Sequence, residues 1–478
     1  MKKYNKEDFN EKELEILRRA VDNAEERAGK RIANSPEIIN IIKIVEEFIK
    51  TKKLVCYGGT AINNILPQED QFYNKNLEIP DYDFFSPKAL EHAEELADIY
   101  YSKGYTEVEA KAGVHTGTYK VYVNFIPVAD ITFLEDKLFK AISIESIHVA
   151  GIMYAPPNFL RMSMYLELSR PEGDVSRWEK VLKRLILLNK HYPLKGYNCD
   201  PKDFAREFEN DTKEDSSKLY YIIKNSFIDQ GLVFFGSYAI SLYSKYMNKK
   251  QQHLLKKYPD FDILSEDPAR AAQITKERLK SNGIQNVTIL KKSGFGEIIA
   301  PHYELIVDND TVAFIYKPLA CHSYNNIKIK GREIRIATID TILSFYLAFY
   351  YSNRPYYDKN RLLCMAQYLF NVQARNRLEQ KGLLKRFSIN CYGKQETLES
   401  IRAEKTERFQ ELKSKRGTPE YDKYFLRYIP SENSKKNPKD DKKSKKTRKV
   451  RKSRKEKKSK KTKQISKSRK FFGYKLRL

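Results

Sequence analysis

A duplicated block of sequence limits what this chain can fold into. The stretch "LVCYGGTAI" at residues 54–62 returns as "LVFFGSYAI" at residues 232–240, and a helix-like segment precedes it in both places. Two further pairs follow in the same order: "IPDYDFFSP" (79–87) with "YPDFDILSE" (258–266), and "YKVYVNFIPVADI" (119–131) with "YELIVDNDTVAFI" (303–315). Chance matches have no reason to keep one order, so the sequence predicts a duplicated domain.

Local patterns within each copy mix helices with strands. Residues 8–28 have the spacing of an amphipathic helix. Ser35 is a good N-cap and Pro36 suits the first position of a second, more apolar helix. Short apolar runs such as "KLVCY" and "YDFF" are typical of strands, which together with the helices predicts an α+β fold with mixed sheets. The expected divisions are an N-terminal helical region (1–50), a first domain (51–195), a second domain (196–395), a charged helix (396–430) and a basic tail (431–478).

The tail at 431–478 consists of Lys, Arg and Ser with almost nothing apolar, and it supplies most of the formal net charge of +27. We expect this segment to be disordered, because it cannot bury enough apolar surface to offset its conformational entropy. Its cations would bind polyanions such as RNA by counterion release, although a solvated tail or a nuclear-type address is an equally simple interpretation. The candidate RNA-binding residues are Lys442, Lys445, Arg448, Arg451 and Arg454.

Cysteine spacing and hydropathy indicate the cellular setting. The five cysteines lie far apart without a CxxC pair, which argues against a disulfide framework or a thiolate zinc site. The N-terminus is charged, and no run of 18 apolar residues occurs, so neither a signal peptide nor a membrane span is expected. These observations predict a soluble intracellular protein without a membrane partner.

Three acids on strand-like segments are the candidate reactive groups. Asp81 and Asp83 lie in "PDYDFF", where the two-residue period of a strand places both carboxylates on one face. Acid-x-acid triples are common by chance, so the context must decide. Asp130 lies in the apolar run "PVADITFL", and the turn Gly58–Thr60 opens a helix whose free N–H groups suit a phosphate. A phosphate-binding turn with three strand carboxylates is the arrangement used for two-metal phosphoryl or nucleotidyl transfer.

These motifs resemble a known family. The order of the Gly-Gly turn, Asp-x-Asp and distal Asp resembles the DNA polymerase beta-like nucleotidyltransferases. More narrowly, four motifs resemble the poly(A) polymerase catalytic subunit of giant viruses (mimivirus-like), which is related to the poxvirus poly(A) polymerase. These are "YGGTAINNILP", "IPDYDFFSP", "VADITFL" and "FLRMSMYLELSRPEGDVSRWEKVLKRL". The resemblance covers roughly residues 35–395, and the long spacing between Thr60 and Asp81 departs from most of the superfamily.

The resemblance implies template-independent polyadenylation of mRNA 3′ ends, with AMP transferred from ATP to an RNA 3′-hydroxyl and pyrophosphate released. Asp81, Asp83 and Asp130 would be the catalytic residues and would hold two Mg²⁺ or Mn²⁺ ions. The residues implied to bind ATP or its phosphates are Gly58, Gly59, Thr60, Arg161, Arg177 and Lys180. The implied partners are ATP, an RNA 3′ end, a second copy in a homodimer, and a cap methyltransferase or other mRNA-processing protein. A viral member would be found in the virion and in viral factories of the host cytoplasm.

The second copy lacks part of this set. The repeat aligns Asp81 and Asp83 with Asp260 and Asp262, but it aligns Asp130 with Phe314. It also aligns Gly59 with Ser237, and Thr60 with Tyr238, whose ring is expected to crowd the turn. We therefore expect two tandem nucleotidyltransferase-like domains, the second of them degenerate.

Two other functions fit the same sequence. One is a related nucleotidyltransferase with another acceptor, such as an oligoadenylate or CCA-type enzyme, because the sequence does not identify a base pocket. The other is a non-catalytic RNA-binding or processivity subunit. The complete set of three Asp residues in the first copy argues against the second alternative.

Overall fold

The computed structural model describes residues 6–74, 76–199, 213–247, 260–352, 354 and 357–433. Nearly all of the predicted basic tail lies outside the described residues. Its five candidate RNA-binding cations are among the residues that are not described: Lys442, Lys445, Arg448, Arg451 and Arg454.

Two helices precede the first sheet: α1 (Lys6–Ala33) and α2 (Pro36–Lys52). The predicted cap is confirmed, since the Ser35 hydroxyl accepts a hydrogen bond from the Ile38 N–H at 3.3 Å. Helix α2 is apolar over much of its surface and buries Ile41, Val45 and Ile49 in the core. It therefore packs against the first sheet as part of the core.

The first sheet has the strand order β16-β3-β4-β5-β2-β1-β7-β6. Its strands are β1 (Val55–Cys56), β2 (Tyr82–Ser86), β3 (Val108–Ala112), β4 (Thr118–Val123), β5 (Ile126–Phe133), β6 (Ile147–Val149), β7 (Ile152–Tyr154) and β16 (Arg427–Tyr428). The helices between them are α3 (Gly58–Ile65), α4 (Ala89–Ser102), α5 (Asp136–Ile144), α6 (Pro157–Leu168) and α7 (Trp178–His191).

The second sheet has the order β10-β11-β12-β9-β8-β14-β13-β15. Its strands are β8 (Val233–Phe234), β9 (Phe261–Leu264), β10 (Val287–Lys292), β11 (His302–Val307), β12 (Asp310–Tyr316), β13 (His322–Ile329), β14 (Arg332–Ala337) and β15 (Cys391–Tyr392). Its helices are α8 (Lys213–Asp229), α9 (Ser237–Tyr243), α10 (Pro268–Ser281), α11 (Ile339–Tyr351) and α12 (Lys359–Arg375).

The two sheets repeat one topology. In each, a short central strand pairs antiparallel with the strand that carries the Asp-x-Asp motif, which in turn pairs parallel with the last strand of a three-strand meander. On its other side the central strand pairs parallel with a hairpin strand. The predicted α+β fold and its duplication are thereby confirmed.

The two sheets share one continuous apolar core. Helix α11 is buried on nearly every side and packs against α6, with the rings of Phe159 and Tyr351 5.4 Å apart. The Ser323 N–H donates to the Ser169 carbonyl at 2.8 Å, which joins the second sheet to the end of α6. The helices that follow the first sheet are therefore held in place by the second copy.

The region 396–430, predicted as a single charged helix, contains two helices, α13 (Leu398–Leu412) and α14 (Pro419–Phe425). A third helix, α15 (Pro430–Asn433), begins at its last residue. Strand β16 lies between the last two and pairs antiparallel with β3 of the first sheet, with Arg427 opposite Lys111. The chain thus returns from the second copy to the edge of the first.

The expectation of unpaired cysteines is wrong for four of the five. The structure pairs Cys199 with Cys364 and Cys321 with Cys391, with Cα–Cα distances of 5.5 and 5.2 Å, and leaves Cys56 free and buried. Separation along the chain does not report separation in space, because Cys321 precedes β13 and Cys391 lies on its neighbour β15. None of the helices that the structure describes is long and apolar enough to cross a membrane.

We predict that Ser35→Ala lowers the free energy of unfolding by about 1 kcal/mol, because it removes the acceptor at the start of α2. Denaturant unfolding measures the loss. Ser102→Ala at the exposed end of α4 is the control and should change stability by less than about 0.5 kcal/mol. Equal effects of the two substitutions would contradict the capping role.

Candidate active site

The pairing of β2 with β5 brings two of the three predicted acids together. The strands run parallel, and Asp83 lies directly opposite Asp130. Asp81 immediately precedes β2, and its pKa is raised by burial and, in addition, by the nearby charge of Asp130. All three carboxylates therefore meet at one end of the first sheet.

Gly58 permits the turn to approach this cluster. Its φ is +72°, and a Cβ at this position would lie 2.5 Å from Asp83 Oδ2. Both observations require glycine, because another residue would be strained and would displace the carboxylate. The Tyr57 N–H donates to the Asp83 carbonyl at 2.9 Å, so the turn and the acid strand are fixed to each other.

Gly59 and Thr60 begin α3 in the first turn of the helix. The Thr60 hydroxyl donates to the Asp81 carbonyl at 2.7 Å, which ties α3 to the Asp-x-Asp segment. A Cβ on Gly59 would lie 2.5 Å from Tyr73 Oη and 2.9 Å from Arg184 Nη2. The segment between Thr60 and Asp81 thus brings Tyr73 over the turn.

Burial and mutual repulsion set the charge state of the acids. Burial raises the pKa of Asp83 to about 7, and the charges of Asp81 and Asp130 add to the effect. The pKa of Asp81 is also raised, chiefly by burial and then by Asp130. Three carboxylates so arranged require cationic compensation when all are ionised.

Lys120 provides part of that compensation and was missed by the sequence reasoning. Its ammonium group forms an ion pair with Asp130 Oδ2 from the neighbouring strand β4. Among the described residues, the other oxygen, Asp130 Oδ1, is buried without a hydrogen-bond partner. A buried carboxylate oxygen lacking a partner is suited to a cation.

The donor set fits a hard divalent cation, since carboxylate oxygens are the ligands that Mg²⁺ and Mn²⁺ prefer. The three carboxylates are near one another, but one oxygen from each does not bring all three within 4.8 Å of one another. Within the described residues, potential metal ligands do lie this close together at Glu172, Cys321 and Cys391. The two cysteines are joined in a disulfide, so this group lacks thiolate ligands.

The three predicted cationic residues have different environments. Arg161 is only 1% exposed, and its guanidinium donates to Asn158, Asn189 and the Tyr192 carbonyl. The expectation that Arg161 binds ATP or its phosphates is therefore corrected, because its buried guanidinium is used in the contact between α6 and α7.

Arg177 forms an ion pair with Glu167 at 3.2 Å, and its charge reaches Asp83. Lys180 is exposed one turn further along α7. Arg184, two turns after Arg177, lies nearest the turn. It donates to Tyr73 Oη at 2.6 Å, and its guanidinium lies 5.0 Å from the centre of the Phe72 ring. The spacing of Arg177 and Arg184 on one helix face was a signal that could have identified Arg184.

The second copy aligns as the repeat predicts, and side chains fill the position that corresponds to the candidate site. Phe314 lies opposite Asp262, in the register that Asp130 has with Asp83. A remaining cavity of about 30 Å³ is lined by Asp260, Asp262, Phe314, Tyr346, Phe349 and Arg361, among others. The predicted crowding by Tyr238 is not the cause, because its ring packs in the core against Phe234 at 4.8 Å.

We predict that Asp83→Asn stabilises the metal-free protein in a pH-dependent manner. A carboxyl group whose folded pKa is raised from 3.8 to about 7 destabilises the fold increasingly as pH rises between these values, and the cost is constant above them. The gain should be small at pH 4.5 and about 2 kcal/mol at pH 8, as measured by denaturant unfolding in EDTA. Asp98→Asn, on an exposed helix face, is the control, and a gain that falls with pH would contradict the assignment.

Comparison with known proteins shows what this chain is similar to. The structure of the Megavirus polyadenylate synthase superposes with a TM-score of 0.76 over 94% of this chain and 90% of that chain, at 20% sequence identity. At that identity the likeness shows the fold.

Proteins described as poly(A) polymerase catalytic subunits are similar to part of this chain. The African swine fever virus protein (isolate Tick/Malawi/Lil 20-1/1983) is 34% identical over 195 residues, which is 40% of this chain and 38% of that protein. The Acanthamoeba polyphaga mimivirus protein is 33% identical over 162 residues, 33% of this chain and 27% of that protein. The matches thus span well under half the length of these curated relatives. Residues 43–174, which contain the Gly-Gly turn and all three acids, match the family model of the poly(A) polymerase catalytic subunit, so the resemblance drawn from the motifs is confirmed for this part of the chain.

Proposed function

We propose that this chain is a polynucleotide adenylyltransferase that adds AMP from ATP to the 3′-hydroxyl of RNA without a template and releases pyrophosphate. The observation that carries the proposal is the register that places Asp83 opposite Asp130 beside the turn at Gly58. The family match over residues 43–174 supports it independently.

Asp81, Asp83 and Asp130 would hold two Mg²⁺ or Mn²⁺ ions. These ions would supply Lewis acidity toward the RNA hydroxyl and neutralise charge on the ATP phosphates. Two observations support this role: among the described residues Asp130 Oδ1 has no hydrogen-bond partner, and burial together with the neighbouring carboxylates raises the pKa of Asp83.

The protein's own groups would bind and orient the substrates. The N–H groups of the turn at Gly58–Thr60 and the N-terminus of α3 favour a phosphate chain. Arg184, held by Tyr73, adds positive charge over the same turn. With the phosphates fixed there, the RNA hydroxyl would attack the α-phosphorus in line, and no covalent enzyme intermediate is needed.

The second copy would serve as a scaffold. Phe314 in place of the third acid and the small volume of its cavity support loss of catalysis there. A related enzyme with another acceptor would use the same chemistry, whereas a non-catalytic binding subunit has no need of three close carboxylates. The homodimer, the cap methyltransferase partner, the basic tail as RNA contact and the viral-factory location stay predictions.

We predict that the full chain extends a short labelled RNA into long ladders with ATP and not with the other three nucleotides, in Mg²⁺ or Mn²⁺. Gel electrophoresis of the products measures length and base preference together. Extension by one to three residues would indicate a CCA-type enzyme, and absence of extension would favour the binding subunit.

We predict that Asp130→Asn lowers the extension rate by at least about 100-fold, because it removes a charge where cations are needed. Asp260→Asn in the second copy is the matched control and should keep the rate within about 3-fold. Similar losses in both variants would contradict the assignment of catalysis to the first copy.

We predict that Arg184→Ala raises the KM for ATP about 10-fold, which corresponds to about 1.4 kcal/mol, and that Arg184→Lys restores part of it. Lys183→Ala, on the adjacent and exposed position of α7, is the control. An unchanged KM in Arg184→Ala would remove this residue from the proposed phosphate contacts.

A further inference from the structure

A cavity of about 340 Å³ lies next to the candidate site. The phosphate contacts proposed above involve only one side of it and give its other walls no function. It lies between the N-terminal half of α2, helix α3 and the segment 78–83. Gly59, Thr60, Asp81 and Asp83 contribute to its lining, whereas Asp130 does not. The cavity is therefore continuous with the turn side of the site and lies away from the third acid.

Its walls are mainly apolar. Ile38 and Ile42 of α2 face Ile79 and Pro80 of the segment before β2. Its volume falls within the range of about 300 to 1,000 Å³ that is typical of small-molecule sites. Branched aliphatic side chains and a proline ring suit a flat, uncharged ring system.

The charges around the cavity argue against phosphate groups as its occupants. Among the described residues, four acids line it, Glu46, Glu78, Asp81 and Asp83, against one cation, Lys43. A phosphodiester or triphosphate placed here would meet the carboxylates of Glu46 and Glu78, which carry its own sign and are not among the proposed metal ligands. Phosphates therefore belong on the other side of Gly59, under Arg184, and the cavity favours an uncharged group that carries hydrogen-bond donors.

Glu46 supplies a fixed acceptor in the wall. Its Oε1 accepts a hydrogen bond from the Tyr82 hydroxyl at 2.6 Å, and Tyr82 is itself buried. This bond holds the carboxyl group at the cavity surface. A carboxylate in this position would accept a hydrogen from an exocyclic amino group of a base.

We propose that this cavity binds a nucleobase that carries an exocyclic amino group, with adenine as the base in the reaction proposed above, and that Glu46 determines the preference for the amino group. The inference rests on the proposed function. The base could belong to the incoming nucleotide or to the 3′-terminal residue of the RNA. The contact of the cavity with the turn at Gly59 and Thr60 favours the incoming nucleotide, whose phosphates would lie at that turn.

Two substitutions test the proposal by steady-state extension of a labelled RNA. Ile42→Trp fills the cavity and should raise the KM for ATP by at least 10-fold. Glu46→Gln keeps an acceptor for Tyr82 and turns a donor toward the base, so it should reduce the preference for ATP over purine riboside triphosphate by at least 10-fold. That analogue lacks the amino group. The matched controls are Ile144→Trp, at an isoleucine that is 84% exposed, and Glu47→Gln, at the next and exposed residue of α2.

The kinetic constants distinguish the two sources of the base. A raised KM for ATP assigns the cavity to the incoming nucleotide, and a raised KM for RNA alone assigns it to the acceptor end. Both constants within 2-fold of the wild-type values, together with an unchanged preference against the analogue, would overturn the proposal.

A binding measurement separates this proposal from the proposed function. Adenosine has no phosphate and needs no metal, so ligand-observed NMR in EDTA reports on the cavity even if the chain extends no RNA. We expect binding by the wild type and by Ile144→Trp, and its loss in Ile42→Trp with an unchanged melting temperature. Binding that is equal in all three proteins, or absent in the wild type, would refute the cavity as a base site whatever the outcome of the extension assay.

Discussion

Parallel pairing of β2 with β5 is the constraint on which the site depends. A sheet fixes side chains in register, so the backbone hydrogen bonds of these two strands hold Asp83 against Asp130 despite their repulsion. Burial raises the pKa of Asp83, and the charges of Asp81 and Asp130 add to the effect; this cost can be sustained because the strands are buried and continuous with a large core. Substrates and cations that relieve the repulsion would gain affinity from the same arrangement.

The internal duplication offers a comparison within one chain. The same order of meander, Asp-x-Asp strand, central strand and hairpin occurs in both copies, and so does the same glycine conformation, with φ of +72° at Gly58 and +71° at Gly236. The third acid of the first copy has no counterpart in the second, because Phe314 occupies the register of Asp130. The second copy has kept the fold while aromatic side chains and Arg361 occupy the place of a ligand, and its α11 now supports α6 of the first copy.

Much of this could be predicted from the sequence, and the failures have physical causes. The repeat, the cap at Ser35 and the meeting of the acids follow from local patterns and from the alignment of the copies. The ion pair of Lys120 with Asp130 could not be predicted, because a β-bulge after Val121 shifts the β4–β5 register by one residue, and a regular hairpin would have placed Lys120 opposite Ala129. The arginines of α6 and α7 look alike in sequence, yet Arg161 points into the core, whereas Arg184 reaches the turn. Arg161 is buried by the contact between α6 and α7, and the pattern of a single helix does not show this contact.

The return of β16 to the first sheet bears on how the protein is made. Its two residues cover the edge of β3, and the Ala112 N–H bonds to the Leu426 carbonyl at 2.9 Å, so partners in this sheet are separated by more than three hundred positions along the chain. A ribosome releases β3 long before β16, and until then the first sheet carries an exposed edge of the kind that promotes association between nascent chains. Contacts so distant in sequence also form slowly. The first copy would therefore be completed last, although it is synthesised first.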